Sequence, residues 1–78
     1  MIVEVKVRLK SGILDPQGKA IHHALLSLGH NNVSNVGVGK IITLNIDSDD
    51  KGKVKEEIIK MCESLLANVV IEDYEILL

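Results

Sequence analysis

Hydrophobic and charged residues alternate from the second residue onward. Between Ile2 and Lys10, Val3, Val5, Val7 and Leu9 share one parity, and Glu4, Lys6, Arg8 and Lys10 share the other. A period of two with one charged face predicts a strand in a sheet covered on one side only. The period then changes. Ala20, Ile21, Ala24, Leu25 and Leu28 recur at helical spacing, which predicts a helix over Pro16 to Leu28 with its apolar stripe turned to the sheet. Asp15 can accept hydrogen bonds from the orphan N–H groups of the first turn, and Pro16 suits the first helical position. Capping does not require Gln17 or Gly18. A glycine inside the first turn costs up to about 1 kcal/mol of helix propensity, so Gly18 predicts close approach by another backbone, expected from a neighbouring subunit. Gly29 stops the helix, and His30-Asn31-Asn32 form a polar turn.

The middle of the chain is harder to fit. From Val33 to Ile46, Val36, Val38, Ile42, Leu44 and Ile46 keep one parity, interrupted by Lys40. Fully extended, that stretch would span roughly 46 Å at about 3.3 Å per residue. A compact domain of this length is about 30 Å across. The strand must therefore bend or break at Gly37-Val38-Gly39-Lys40, or project into a partner; a kinked long strand at a subunit interface is the expectation. Asp47 to Asp50 supply a polar turn and a cap for a second helix over Lys51 to Ala67, with Val54, Ile58, Met61, Cys62 and Leu65 as its buried stripe. Lys51, Gly52 and Lys53 oppose the dipole or weaken the first turn, so that start is expected to fray. After Asn68, Val69 to Leu78 read as a last strand. The predicted fold is α+β, in the order β-α-β-α-β, or β-α-β-β-α-β if the long strand splits. In either layout two helices pack on one face of a mainly antiparallel sheet, an arrangement related to the ferredoxin-like fold.

Composition narrows the functional classes. The 78 residues make one domain spanning 1–78, and so short a chain buries only about 60–65% of its unfolded surface, which favours oligomers. Tyr74 is the only aromatic residue, and the net charge is −2, which argues against nucleic acid as a partner. A single cysteine, Cys62, fits a reducing compartment. With no signal-like or membrane-length segment, a cytoplasmic protein without membrane contact is expected.

No residue pattern assembles a catalytic site. His22 and His23 diverge by about 100° around a helix and cannot share one ion, and His30 has no ligand-spaced neighbour, so no metal site is expected. Cys62 lies on an apolar stripe, where a buried inert thiol is expected. Gly37-Val38-Gly39-Lys40-Ile41 lacks the leading glycine and the trailing Ser or Thr of a phosphate loop; a bulge or a close backbone approach explains its glycines better. Asp47, Asp49 and Asp50 lack the glycine and glutamate of a calcium loop. Glu72 and Asp73 face opposite ways along a strand, so Glu72, Asp73 and Glu75 make no obvious acid–base pair.

Taken in order, Leu14-Asp15-Pro16-Gln17-Gly18, His22-His23-Ala24-Leu25, Leu28-Gly29, Val38-Gly39-Lys40, Met61-Cys62-Glu63, Leu65-Leu66-Ala67-Asn68 and Val70-Ile71-Glu72-Asp73-Tyr74 resemble the PurS family almost end to end. That family supplies the small subunit of phosphoribosylformylglycinamidine synthase. Two positions depart from the family phrase: Gly37 replaces an expected arginine, and Val69 an expected proline or threonine. The resemblance implies a non-catalytic adaptor that forms dimers or tetramers. It would join a glutaminase subunit to a large synthetase subunit so that ammonia passes between them. It implies no cofactor on this chain, with ATP and Mg²⁺ used by the synthetase partner. Subunit contacts would then involve Asp15, Gln17, Gly18 and His22 at the helix start, Gly39 and Lys40 on the long strand, and Asn68, Glu72 and Tyr74 near the end. Each has a plainer reading: Asp15 and Gly18 serve the helix start, Gly39 a bulge, Tyr74 the core rim. The rival function is a regulatory module that binds a small metabolite at a dimer interface, for which Ser11-Gly12 offers a weak glycine turn. A stand-alone hydrolase would need a positioned arginine or nucleophile, and Arg8, the sole arginine, sits on a charged strand face.

Overall fold

A computed structural model covers residues 1–78. The elements run β1 (Ile2–Leu9), α1 (Pro16–Ser27), β2 (Gly39–Asn45), α2 (Lys51–Met61), a π-helical turn (Cys62–Leu66) and β3 (Glu72–Leu77). The three strands form one antiparallel sheet in the order β2-β1-β3. This is the expected α+β class in the unsplit order β-α-β-α-β. The alternating pattern of β1 is realised in full: Val3, Val5 and Val7 are buried, while Glu4, Lys6 and Arg8 are exposed. In register, Val5 sits between Ile42 of β2 and Ile76 of β3. Over that face α2 lays Val54 and Ile58, followed by Cys62 and Ala67, and these seven side chains complete the core.

The second helix departs from a straight amphipathic reading at its end. Asp50 accepts from the Lys53 N–H at 3.1 Å and caps a helix that begins at Lys51 despite its unfavourable first turn. Beyond Met61 the chain widens into a π turn, closed by the Ala67 N–H donating to the Cys62 carbonyl at 3.1 Å. The widened turn rotates the side chains beyond it around the helix axis. Leu65, expected in the stripe, is 82% exposed, and Ala67 is buried in its stead. The last strand starts later than expected, at Glu72, because the Ile71 and Glu72 N–H groups both donate to the Asn68 carbonyl in a turn.

The long middle strand does not form as one piece. Only Gly39–Asn45 pairs with β1; residues 33–38 are neither helix nor strand and make no backbone–backbone hydrogen bond. The break falls at the glycines, as one of the options allowed. The apolar stripe of α1 is also not covered by the sheet: Ala20 and Ala24 are exposed, Ile21 is 44% exposed and Leu28 75%. α1 and the segment after it form an arm rather than a lid over the sheet. The molecule consequently measures 49 × 23 × 14 Å with a radius of gyration of 16.0 Å, against about 11.5 Å for a compact chain of this length.

Candidate functional site

The arm is built around Asp15. The carboxylate accepts from the Gly18 N–H through Oδ1 at 2.9 Å and from the Val38 N–H through Oδ2 at 2.9 Å. One side chain therefore caps α1 and ties the helix to the returning chain just before β2. These backbone donors, Gly18 first and Val38 next, hold the Asp15 carboxyl below its ordinary value of 3.8, against an opposing effect of burial. Gly18 is the buried residue of α1. A Cβ there would lie 2.2 Å from the carbonyl oxygen of Val36. The close backbone that Gly18 predicts is thus the chain's own, not a neighbouring subunit's. His22 completes the fastening through a 2.7 Å hydrogen bond between Nε2 and the Val33 carbonyl. The far end of α1 closes in a Schellman motif: Gly29, at φ +96°, donates to Leu26, and His30 donates to Leu25.

At the root of the arm, one cleft of about 230 Å³ is lined by Asp15, Gln17, Gly39, Lys40 and Glu72. These residues come from α1, β2 and β3, far apart in sequence. Lys40 stands opposite Val7 in the register, so it interrupts the apolar parity of β2 at the end of the sheet beside the arm. Gly39 is no bulge: it pairs in register with Arg8, and a Cβ on it would meet the Val7 carbonyl at 2.8 Å. The remaining candidates lie elsewhere. Gly18 and His22 are engaged within the arm. Asn68 shapes the turn before β3, its N–H donating to Glu72 Oε1 at 2.6 Å and its Oδ1 accepting from the Val70 N–H at 3.2 Å. Tyr74 is half-buried against the core, and its hydroxyl is pushed up by the Glu63 carboxylate beside it and then by burial. The Cys62 thiol is fully buried and raised from 9.0, first by burial and then by Glu63.

Sequence reasoning passed over a second cleft. About 330 Å³ in volume, it is lined by Arg8, Asp15, Asn35, Gly37 and Gly39. The missed signal was register: pairing Arg8 with Gly39 places the only arginine next to the bare glycine stretch. Arg8 lines that cleft from β1. No group of three His, Cys, Asp or Glu side chains stands close enough to hold a metal ion, and His23 and His30 are exposed.

A small antiparallel α+β domain, carrying a projecting arm and polar clefts at its root, defines the class. The family model described as "PurS: Phosphoribosylformylglycinamidine (FGAM) synthase" matches residues 2–78, and the chain belongs to that family. It is 49% identical over 72 residues to the PurS subunit of Methanocaldococcus jannaschii, covering 92% of this chain and 87% of that protein. It is 51% identical over 75 residues to the Bacillus subtilis subunit, covering 92% and 84%. The crystal structure of B. subtilis PurS superposes with a TM-score of 0.86 at 46% identity, over 97% of this chain and 94% of that one. A chain of PurLQS from Thermotoga maritima superposes with a TM-score of 0.83 at 32% identity, over 99% and 96%. The function that accompanies the family is that of a subunit of FGAM synthase in purine biosynthesis.

Proposed function

We propose that this chain is the non-catalytic adaptor of a phosphoribosylformylglycinamidine synthase in the cytoplasm. It holds the glutaminase and the large synthetase subunit together so that ammonia released by one reaches the other. ATP and Mg²⁺ act on the synthetase, and this chain carries no cofactor. The observation that supports the reading best is the arm. Ile13, Leu14, Ile21, Leu26 and Leu28 are all at least 39% exposed, and residues 33–38 carry backbone groups with no backbone partner. Exposed apolar side chains, and backbone outside any ladder, are stabilised by protein contact. A second copy of the chain, in a dimer or tetramer, covers part of it, and the larger subunits meet the rest. The T. maritima relative carries the name PurLQS, which names it as part of such an assembly.

The test is reconstitution of the two larger subunits with and without this chain, with glutamine or free ammonia as nitrogen donor. Glutamine-dependent synthesis should require the chain, while ammonia should support turnover in its absence. Equal glutamine-dependent rates in the two mixtures would end the adaptor reading.

A further inference from the structure

One peptide bond of the chain is chemically weaker than the rest, and the clamp lies across it. Asp15 is joined to Pro16, the chain's only proline. An aspartate carboxylate is a nucleophile held beside the carbonyl carbon of its own residue, and the ring that closes on attack has five members. Proline makes the better leaving group, since its tertiary amide nitrogen takes a proton more readily than a secondary amide's. In an unfolded chain the step is therefore set up by these two residues alone. The folded chain holds the reacting atoms apart. Oδ1 accepts from the Gly18 N–H and Oδ2 from the Val38 N–H, each at 2.9 Å, so neither oxygen is free to turn back on its own carbonyl. That carbonyl accepts from the Lys19 N–H at 3.0 Å, and Pro16 is built into the first turn of α1. Burial is not the protection, because Leu14 and Pro16 on either side are exposed and water reaches the bond. Arg8 from β1, Lys40 from β2 and Glu72 from β3 share a cleft with Asp15, and Lys19 and His22 follow it on α1. The two cations in the cleft favour the ionised carboxylate that the clamp holds, and Glu72 opposes them.

We infer that the Asp15–Pro16 bond is a latent self-cleavage site, kept closed by the two hydrogen bonds that hold the Asp15 carboxylate. In the step, one Oδ atom bonds to the Asp15 carbonyl carbon and the C–N bond to Pro16 breaks. The proline nitrogen takes a proton from acidic solvent and leaves as a secondary ammonium. Water then opens the cyclic anhydride, so Asp15 becomes a C-terminus and Pro16 an N-terminus. One water is consumed, and nothing is oxidised or reduced. The products are residues 1–15, which carry β1, and residues 16–78, which carry every other element. Because β1 is the middle strand, the cut severs the centre of the sheet from both its neighbours.

The experiment follows these fragments by mass spectrometry in mildly acidic buffer that leaves the full chain folded by circular dichroism, and in the same buffer with urea enough to unfold it. The unfolded chain should release residues 1–15 as its first product. The folded chain should do so at least about 100-fold more slowly, because attack waits for the clamp to open. Pro16→Ala and Asp15→Asn, both unfolded, should lose that product, the first for want of the leaving group and the second of the nucleophile. Two folded variants separate the clamp from the fold as a whole. Gly18→Ala, which crowds the Val36 carbonyl, should speed the folded cut about fivefold. Ile58→Val, which weakens the core away from the clamp, should leave it unchanged. The inference is overturned if folded and unfolded chains are cut equally fast, or if another bond breaks first in the unfolded chain. Equal acceleration by Ile58→Val and Gly18→Ala overturns it too, since the whole fold would then be the guard. So does a chain that unfolds in every acid able to cut it.

Discussion

Replacing Gly18 with alanine should destabilise the protein, although helix propensity argues for the reverse. At a free helical position the change contributes up to about 1 kcal/mol. At Gly18 the new Cβ would lie 2.2 Å from the Val36 carbonyl oxygen, and ordinary contact begins at 3.4 Å. The two backbones must therefore part by the difference, 1.2 Å. They cannot part freely, because Asp15 holds Gly18 and Val38 with the two oxygens of one carboxylate. Overpacking of this kind costs about 1–3 kcal/mol, so the net loss is about 1 kcal/mol, or roughly 4–8 °C in Tm for a domain of this size. Gly52 is the internal control. It also sits in the first turn of a helix, but its added Cβ meets only Asp50 Oδ1 at 3.5 Å. Gly52→Ala should therefore raise Tm, by no more than about 8 °C. Thermal melts by circular dichroism, at one fixed protein concentration because assembly shifts Tm, read both signs. A Gly18→Ala protein melting at or above the wild type would refute the argument that Val36 occupies the space.

Two further outcomes concern titrating groups. Asp15 has a folded pKa below its unfolded value near 3.8, so its contribution to stability is fully present above that value and fades as pH falls through the depressed folded one. Asp15→Asn should be less stable at pH 6 and should lose less stability than the wild type on acidification to pH 3, measured by urea melts at each pH; equal pH slopes would contradict the clamp. Cys62 has the opposite sign: burial raises its pKa from 9.0, so the neutral thiol is favoured below that value and its contribution is lost only in strongly alkaline solution. At pH 8 the native thiol should react with an aromatic disulfide reagent at least about 100-fold more slowly than in denaturant, because modification requires opening. A fast native reaction would show that the π turn does not seal it.

What the sequence made legible was whatever one element decides for itself. β1 is readable because its alternation is local and its buried face is saturated by valines. Asp15 and Asp50 are readable as caps because an N-cap acts within three residues. The end of α2 was not, since a π turn adds one residue to the phase and leaves composition untouched, sending Leu65 outward and Ala67 inward. The α1 stripe was readable as apolar but not as uncovered: periodicity reports that a face seeks a partner, and Ile21 and Leu28 find none within the chain. The site divides the same way. Asp15, Gln17, Gly39, Lys40 and Glu72 do meet at one cleft, whereas Arg8 became visible only once its pairing with Gly39 was fixed.

The clamp also explains why a helix start would be tied so closely to contacts that lie beside it. Asp15 joins three things through two oxygens: the first turn of α1, the entry to β2 and the wall of the larger cleft. Because Val38 is held there, Gly37 is presented with its N–H unpaired and Gly39 enters the ladder opposite Arg8. Loss of the clamp would leave β1 and α2 packed, since Asp15, Gly18 and Val38 are not among the residues of the core they share. The arm and the larger cleft, by contrast, would lose their fixed relation. In the adaptor reading proposed above, Asp15 would thus act on assembly through what it positions, beside the exposed Leu14. The carboxylate of Asp15 is spent inside the chain, and what it positions is the surface around it.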